Sequence, residues 1–212
     1  MLKTPRTKVT RVPQRGSYDR TTLYAILDEA LIGHVAFITS GGHPAVIPTL
    51  IARDGDELLI HGSNASRAVR ALRAGQEACI EVTHVDGIVL ARSAFHHSMN
   101  YRSAIVYGTL QPAPDKPKAL ELFTNKLTPG RWEHVRWPNE QELKGTEVLM
   151  LPITEGSSKI RTGPPGDDEP DYALDTWAGV IPITTVRGEP IPDPVLKPGI
   201  ETPDHVKALT TR

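Results

Sequence analysis

The chain is expected to be a mainly β protein, a small barrel dressed with a few helices, and three observations in its 212 residues lead there. Short runs rich in β-branched residues, six or seven of them, are separated by two- to four-residue turn signals, the pattern of antiparallel hairpins. Only a few segments carry helical periodicity. The strand–helix alternation and G-x-G-x-x-G fingerprint of doubly wound nucleotide folds are absent, as is the phosphate-loop pattern G-x-x-x-x-G-K-S/T. Hydrolysis of nucleoside triphosphates is therefore not expected.

In chain order, residues 1–18 form an N-terminal arm with Pro5, Pro13 and Gly16 and little periodicity. Asp19 is placed to cap a helix whose Leu23, Ile26, Leu27, Ala30 and Leu31 make an apolar stripe. Strands follow at HVAFITS, ended by Gly41-Gly42, at AVIPTLIAR, ended by Asp54-Gly55, and at ELLIH. A helix over 64–74 comes next, with Ala65, Ala68, Val69 and Leu72 at i, i+3, i+4 and i+7 and Gly75 as its stop. ACIEVTHV and IVLARSAF flank Asp86-Gly87, which predicts another hairpin turn. SAIVYGTLQ is a further strand, 115–127 a helix with Ala119, Leu120, Leu122, Phe123 and Leu127 on one side, and TEVLMLPIT the last clear strand. Residues 19–162 thus make one domain. From 163 to 212 proline and glycine crowd the chain, and because proline cannot donate to a ladder this tail should wrap a surface without extending the sheet. Trp177 in that tail needs cover, from its own core or from a ligand or partner.

Composition narrows the partners. A net charge of −1 with no basic tract gives no electrostatic reason to expect nucleic acid. The single Cys79 excludes an intramolecular disulfide framework and reads as a buried core thiol. No stretch approaches the roughly 18 apolar residues of a membrane span, and the N-terminus lacks an apolar signal segment, so a cytoplasmic protein is expected.

Two segments are chemically unusual. LLIHGSNASRAVRALRAG, residues 58–75, reads as strand, polar turn and helix, with arginines in the helix. A helix start presents unpaired N–H groups and partial positive charge, and Ser63, Asn64, Ser66 and the Arg67 fork add donors suited to a phosphate. Simple capping by Ser63 or Asn64 is the competing reading, and both stay open. Arg70 and Arg73 are expected solvated or paired on the surface. In the second segment, 93–108, His96, His97, Ser98, Asn100, Arg102 and Ser103 interrupt an otherwise apolar strand pair and suggest the lining of a site. Adjacent strand histidines point to opposite faces, and with one cysteine and no H-E-x-x-H no metal site is expected. His61 is equally compatible with a satisfied barrel-edge histidine.

No side-chain catalyst announces itself. There is no G-x-S-x-G elbow, and Asp167, Asp168 and Glu169 form an acidic run that reads as a solvated turn. That silence suits a cofactor that carries the chemistry itself.

VIPTL, LLIHGSNASRAVRAL, IVLARSAFHHSMNYRSAIVYG, SSKIRTGPPGDD and WAGVIP occur in this order over roughly residues 15–195. Together they resemble the flavin-binding branch of the pyridoxamine 5′-phosphate oxidase-like family, near the nitroimidazole-resistance proteins. The resemblance implies a split β-barrel homodimer with flavin mononucleotide (FMN) at the subunit interface. It places the flavin phosphate at the 61–67 turn, which holds His61 and Asn64, with Ser63, Ser66 and Arg67 as donors and Thr49 beside the ribityl chain or ring. Asn100, Arg102 and Ser103 would lie near the dimer interface and reach the partner's flavin, while Lys159 and Trp177 would close the site. True pyridoxamine phosphate oxidases carry R-x-x-L-L-K and a consecutive Arg-Lys pair, whereas these stretches here read VIPTL and SNASRAV, so that oxidation is not expected. The expected function is an FMN-dependent oxidoreductase acting on an unidentified small molecule. Alternatives are a flavin store or redox sensor without turnover, or the same barrel binding haem, for which His96 and His97 speak, or a deazaflavin.

Overall fold

The computed structural model describes residues 3–210. Asp19 begins helix α1 (Arg20–Glu29), its carboxylate accepting from the Thr22 amide at 2.7 Å, and Leu23, Ile26 and Leu27 turn into the core. Helices α2 (Arg67–Arg73), α3 (Lys116–Leu127), α4 (Glu140–Gly145) and α5 (Asp204–Lys207) complete the helical set. The strands are β1 (Gly16–Ser17), β2 (Ile32–Ile38), β3 (Pro44–Asp54), β4 (Glu57–Ser63), β5 (Glu77–Leu90), β6 (Ser98–Thr109), β7 (Gln111–Pro112), β8 (Thr146–Pro152), β9 (Glu155–Arg161) and β10 (Gly179–Pro182). All pair antiparallel in one sheet of order β1-β9-β6-β5-β2-β3-β4-β8-β7, with β10 added to β5.

Strand alternation builds two cores. Ile51, Leu58, Ile60, Ile80, Val106 and Leu151 point inward to meet α1 in one buried cluster. Ala52, Leu59 and Val148 point the other way, where Ala119 and Phe123 of α3 cover them. His61, two residues beyond Leu59, falls on that α3 face.

Four expectations change. Asp86-Gly87 is no hairpin: β5 runs straight through it with a register shift between Val85 and Gly87, a bulge that lets Asp86 meet Arg102 on the neighbouring strand. The connection to β6 comes later, through a 3₁₀ turn at Ala94–His96. The strand β9 was hidden by its polarity, since EGSSKIR has little apolar alternation yet buries Gly156, Ser157 and Ser158 between β6 and β1. A Cβ at position 156 would lie 2.6 Å from the Ile105 carbonyl, so the close approach of β6 requires glycine there. The tail also adds β10 to the sheet, which its composition argued against. Its ladder residues precede or end at Pro182, so no donor is lost inside the strand. Cys79, finally, is half-buried, not a core thiol, and burial pushes its pKa up. Among the described residues no helix is long and apolar enough to cross a membrane.

Candidate functional site

The 61–67 turn leaves β4, crosses to α2 and is fixed from below. A Cβ at Gly62 would lie 2.9 Å from Val69 Cγ2, so the absence of a side chain there lets α2 settle on the strand. The helix starts at Arg67, three residues later than its periodicity suggested, because Ser66 is its N-cap. Neither Ser63 nor Asn64 caps it. Ser63 Oγ accepts from the Ala65 amide at 3.2 Å, and Asn64 binds the Lys144 carbonyl through Nδ2 and the Gly145 carbonyl through its backbone. Ser66 makes no side-chain capping bond. Arg67 is exposed, and no hydrogen bond or ion pair engages it among the described residues. It lines an open cleft of about 340 Å³ with Ser40, Arg70, Ala71, Ala74 and Gln76. Arg73 points elsewhere, 3.2 Å from Glu147. The turn thus presents a free hydroxyl and a free guanidinium, donor types that suit a phosphate.

Beside it, His61 tilts against Phe123 with ring centroids 4.6 Å apart, and its Nδ1 is buried with no partner. Burial lowers its pKa, so the ring is neutral at pH 7. It shares a groove of about 420 Å³ with Leu50, Leu127, Arg131 and Trp132. Thr49 follows the parity of Ile51, so it lies on the opposite face of β3 from Leu50 and this groove.

The residues of the second segment sit on another part of the sheet. Ser103 and Lys159 are register partners on β6 and β9, and Ser103 Oγ donates to the Lys159 carbonyl at 3.4 Å. Buried Asn100 donates to the Gly163 carbonyl at 3.1 Å and accepts from Arg161. Arg102 is held by Asp86 at 2.8 and 2.9 Å and by Glu29, and its hydrogen bonds pull both carboxyl pKa values down. Strands β5, β2 and β3 separate this set from β4.

The tail is anchored by a residue that composition misread. Asp167 is not solvated: its side chain is fully buried, accepting from the Arg92 and Ser93 amides at 2.9 and 3.2 Å and facing the Arg92 guanidinium at 3.2 Å. Burial opposes its charge, but these bonds together outweigh that and lower its pKa. Arg92 also stacks over Tyr172 at 5.0 Å. The adjacent histidines diverge: His96 Nε2 lies 3.2 Å from Asp168, with Asp171 close by, while His97 Nδ1 pairs with the Ser93 carbonyl at 3.0 Å. Trp177 is 67% exposed and does not use its own core for cover.

Residues 19–160 match the family described as pyridoxamine 5′-phosphate oxidase. The chain belongs to that family. Its fold is the split β-barrel of the family, mainly β with a few helices. It is 40% identical to the flavocytochrome Anf3 of Azotobacter vinelandii, over 97% of each chain, with a TM-score of 0.92. It is 38% identical to an FAD and heme binding protein of Mycobacterium smegmatis, over 92% of this chain and 97% of that one, with a TM-score of 0.88. A 5-nitroimidazole antibiotic resistance protein, described as putative, of Bacteroides thetaiotaomicron shares the fold at 19% identity, over 68% of this chain and 86% of that one, with a TM-score of 0.56. No curated protein matches the chain.

Proposed function

We propose that this chain is a redox protein that binds a flavin nucleotide by its phosphate at the 63–67 turn and carries a haem in the same barrel. The observation that carries the flavin reading is the pairing of an uncapped Ser66 hydroxyl with an unpaired Arg67 at one turn, on a helix start that favours anions. Both FMN and FAD bear the phosphate that this turn suits. The sequence resemblance favours FMN, whereas the two relatives at 40% and 38% identity are a flavocytochrome and an FAD and heme binding protein, which favours FAD and adds the haem.

When bound, the flavin supplies two-electron acceptance and the haem one-electron transfer. The chain's part is to hold and orient them. Ser63, Ser66 and Arg67 bind the phosphate, Arg70 adds positive charge to the same cleft, and His61 offers a neutral imidazole on the apolar groove beside it. No hydrogen bond or ion pair joins Asn100, Arg102, Ser103 or Lys159 to that turn among the described residues, which suits a homodimer in which one subunit's β6–β9 pair serves the other subunit's cofactor.

The absorption spectrum of the purified protein, with mass spectrometry of what denaturation releases, tests this reading. Flavin maxima, a Soret band and released FAD are expected; released FMN would restore the narrower assignment, and a colourless protein that takes up neither flavin would sink it. Arg67→Ala should weaken flavin binding with the fold intact. Multiple turnovers with a reduced nicotinamide donor under anaerobic conditions would separate an oxidoreductase from a flavin store.

A further inference from the structure

One end of the sheet carries an apolar face that stays largely exposed among the described residues. Ile181 of β10 pairs with Ile88 of β5, which pairs with Met99 of β6, so the three side chains form a cross-strand row. They are 48%, 41% and 52% exposed. Gly179 pairs with Leu90, two residues along, and therefore belongs to the same face. The Trp177 ring leans on that face, since a Cβ at Gly179 would lie 3.0 Å from its Cζ2 and Cη2 atoms. Phe95, at the turn between β5 and β6, is 89% exposed.

His97 stands at the border of this face, one residue before β6 and two before Met99. Its Nδ1 meets the Ser93 carbonyl at 3.0 Å. A carbonyl accepts, so Nδ1 carries the hydrogen and the lone pair is left on Nε2. No described residue engages Nε2, whereas Nε2 of neighbouring His96 is turned to Asp168. A backbone carbonyl that orients one ring nitrogen while the other is free is the arrangement that iron-ligating histidines use. A flat apolar macrocycle fits what surrounds it, three aliphatic or thioether side chains in a row with an indole at the edge.

We infer that His97 Nε2 is an axial ligand of the haem, seated on the face formed by Ile88, Met99, Ile181 and Trp177. The inference rests on the haem reading above and adds the ligand and the surface. It places the haem on the β10–β5–β6 end of the sheet, away from the His61 groove.

The full chain is titrated with haemin and followed by the Soret band and by the electron paramagnetic resonance of the ferric form. His97→Ala should weaken haemin uptake more than about tenfold, and added imidazole should restore a wild-type-like spectrum. Its thermal shift with flavin should stay, because His97 is exposed and is neither at the 63–67 turn nor among the β6–β9 residues assigned to the partner's flavin. Unchanged haem spectra in His97→Ala, or their loss in His61→Ala alone, would overturn the ligand assignment while leaving the haem reading in place. A wild-type protein that takes up no haemin would overturn both.

Discussion

Buried polar groups of the β6–β9 pair satisfy one another, so deleting one leaves the other stranded. Asn100 accepts from Arg161 and donates to the Gly163 carbonyl, and all three lie where strand gives way to tail. Asn100→Ala should therefore cost about 1–3 kcal/mol in urea unfolding, the penalty of unsatisfied buried partners. Arg102 makes a different kind of demand. Its hydrogen bonds keep Glu29 and Asp86 ionised below their ordinary range. A depressed carboxyl pKa stabilises the fold above the unfolded value and stops doing so as pH falls through the folded one. Arg102→Met should thus be less stable than wild type at pH 7, and the gap should narrow as pH drops below about 4. Flavin affinity measured in the same variant asks whether Arg102 also serves a partner's cofactor. Composition alone marks these residues as unusual for a strand pair, but it does not distinguish a site lining from an internal clamp. That distinction depends on which carboxylates the bulge at Asp86 and the end of α1 deliver, and both arrive from elsewhere in the chain.

Among elements, the strand–turn–helix at β4–α2 depends on contact at Gly62. Gly62→Ala sets a methyl 2.9 Å from Val69 Cγ2, so α2 has to move or Val69 has to repack. We expect a loss of about 1–3 kcal/mol from overpacking, together with weaker flavin binding as Arg67 is displaced. Val69→Ala in the same chain should recover part of both, and a double-mutant cycle measures the coupling. If Gly62→Ala binds flavin as wild type does, the helix position is not what sets the site. Helix α1 was legible because a capping residue and an apolar stripe agree, and α3 because of its stripe, although the sequence range 115–127 counts its cap, Asp115, as the first helical residue. Asp19 and Asp115 each accept from the backbone three residues on. Strands failed where one of those signals pointed the wrong way. Asp-Gly marks a turn by its chemistry, yet here Gly87 is paired within β5. The apolar pattern could not reveal β9, whose burial comes from serine and glycine under neighbouring strands.

The whole molecule exposes more apolar surface than its cores explain. Trp177, Phe95, Val46 and Met99 are 67%, 89%, 62% and 52% exposed, on strands and tail alike. Patches of this kind mark surfaces that ligands or subunits cover. Two linked equilibria follow from the proposed function. A flavin at one hundred times its Kd adds about 2.7 kcal/mol to the folded state, a rise in Tm of about 5–10 °C for a chain of this size. Arg67→Ala should lose most of that rise at the same flavin concentration. Dimerisation contributes independently, because association stabilises the folded state by mass action. The wild-type Tm should therefore climb with protein concentration at fixed flavin excess, and sedimentation should report twice the chain mass of 23.2 kDa. A Tm that is flat with concentration, with sedimentation at the single-chain mass, would require all cofactor-binding residues to come from one subunit. The β6–β9 residues would then have to serve the cofactor at the 63–67 turn of their own subunit, or act apart from it altogether.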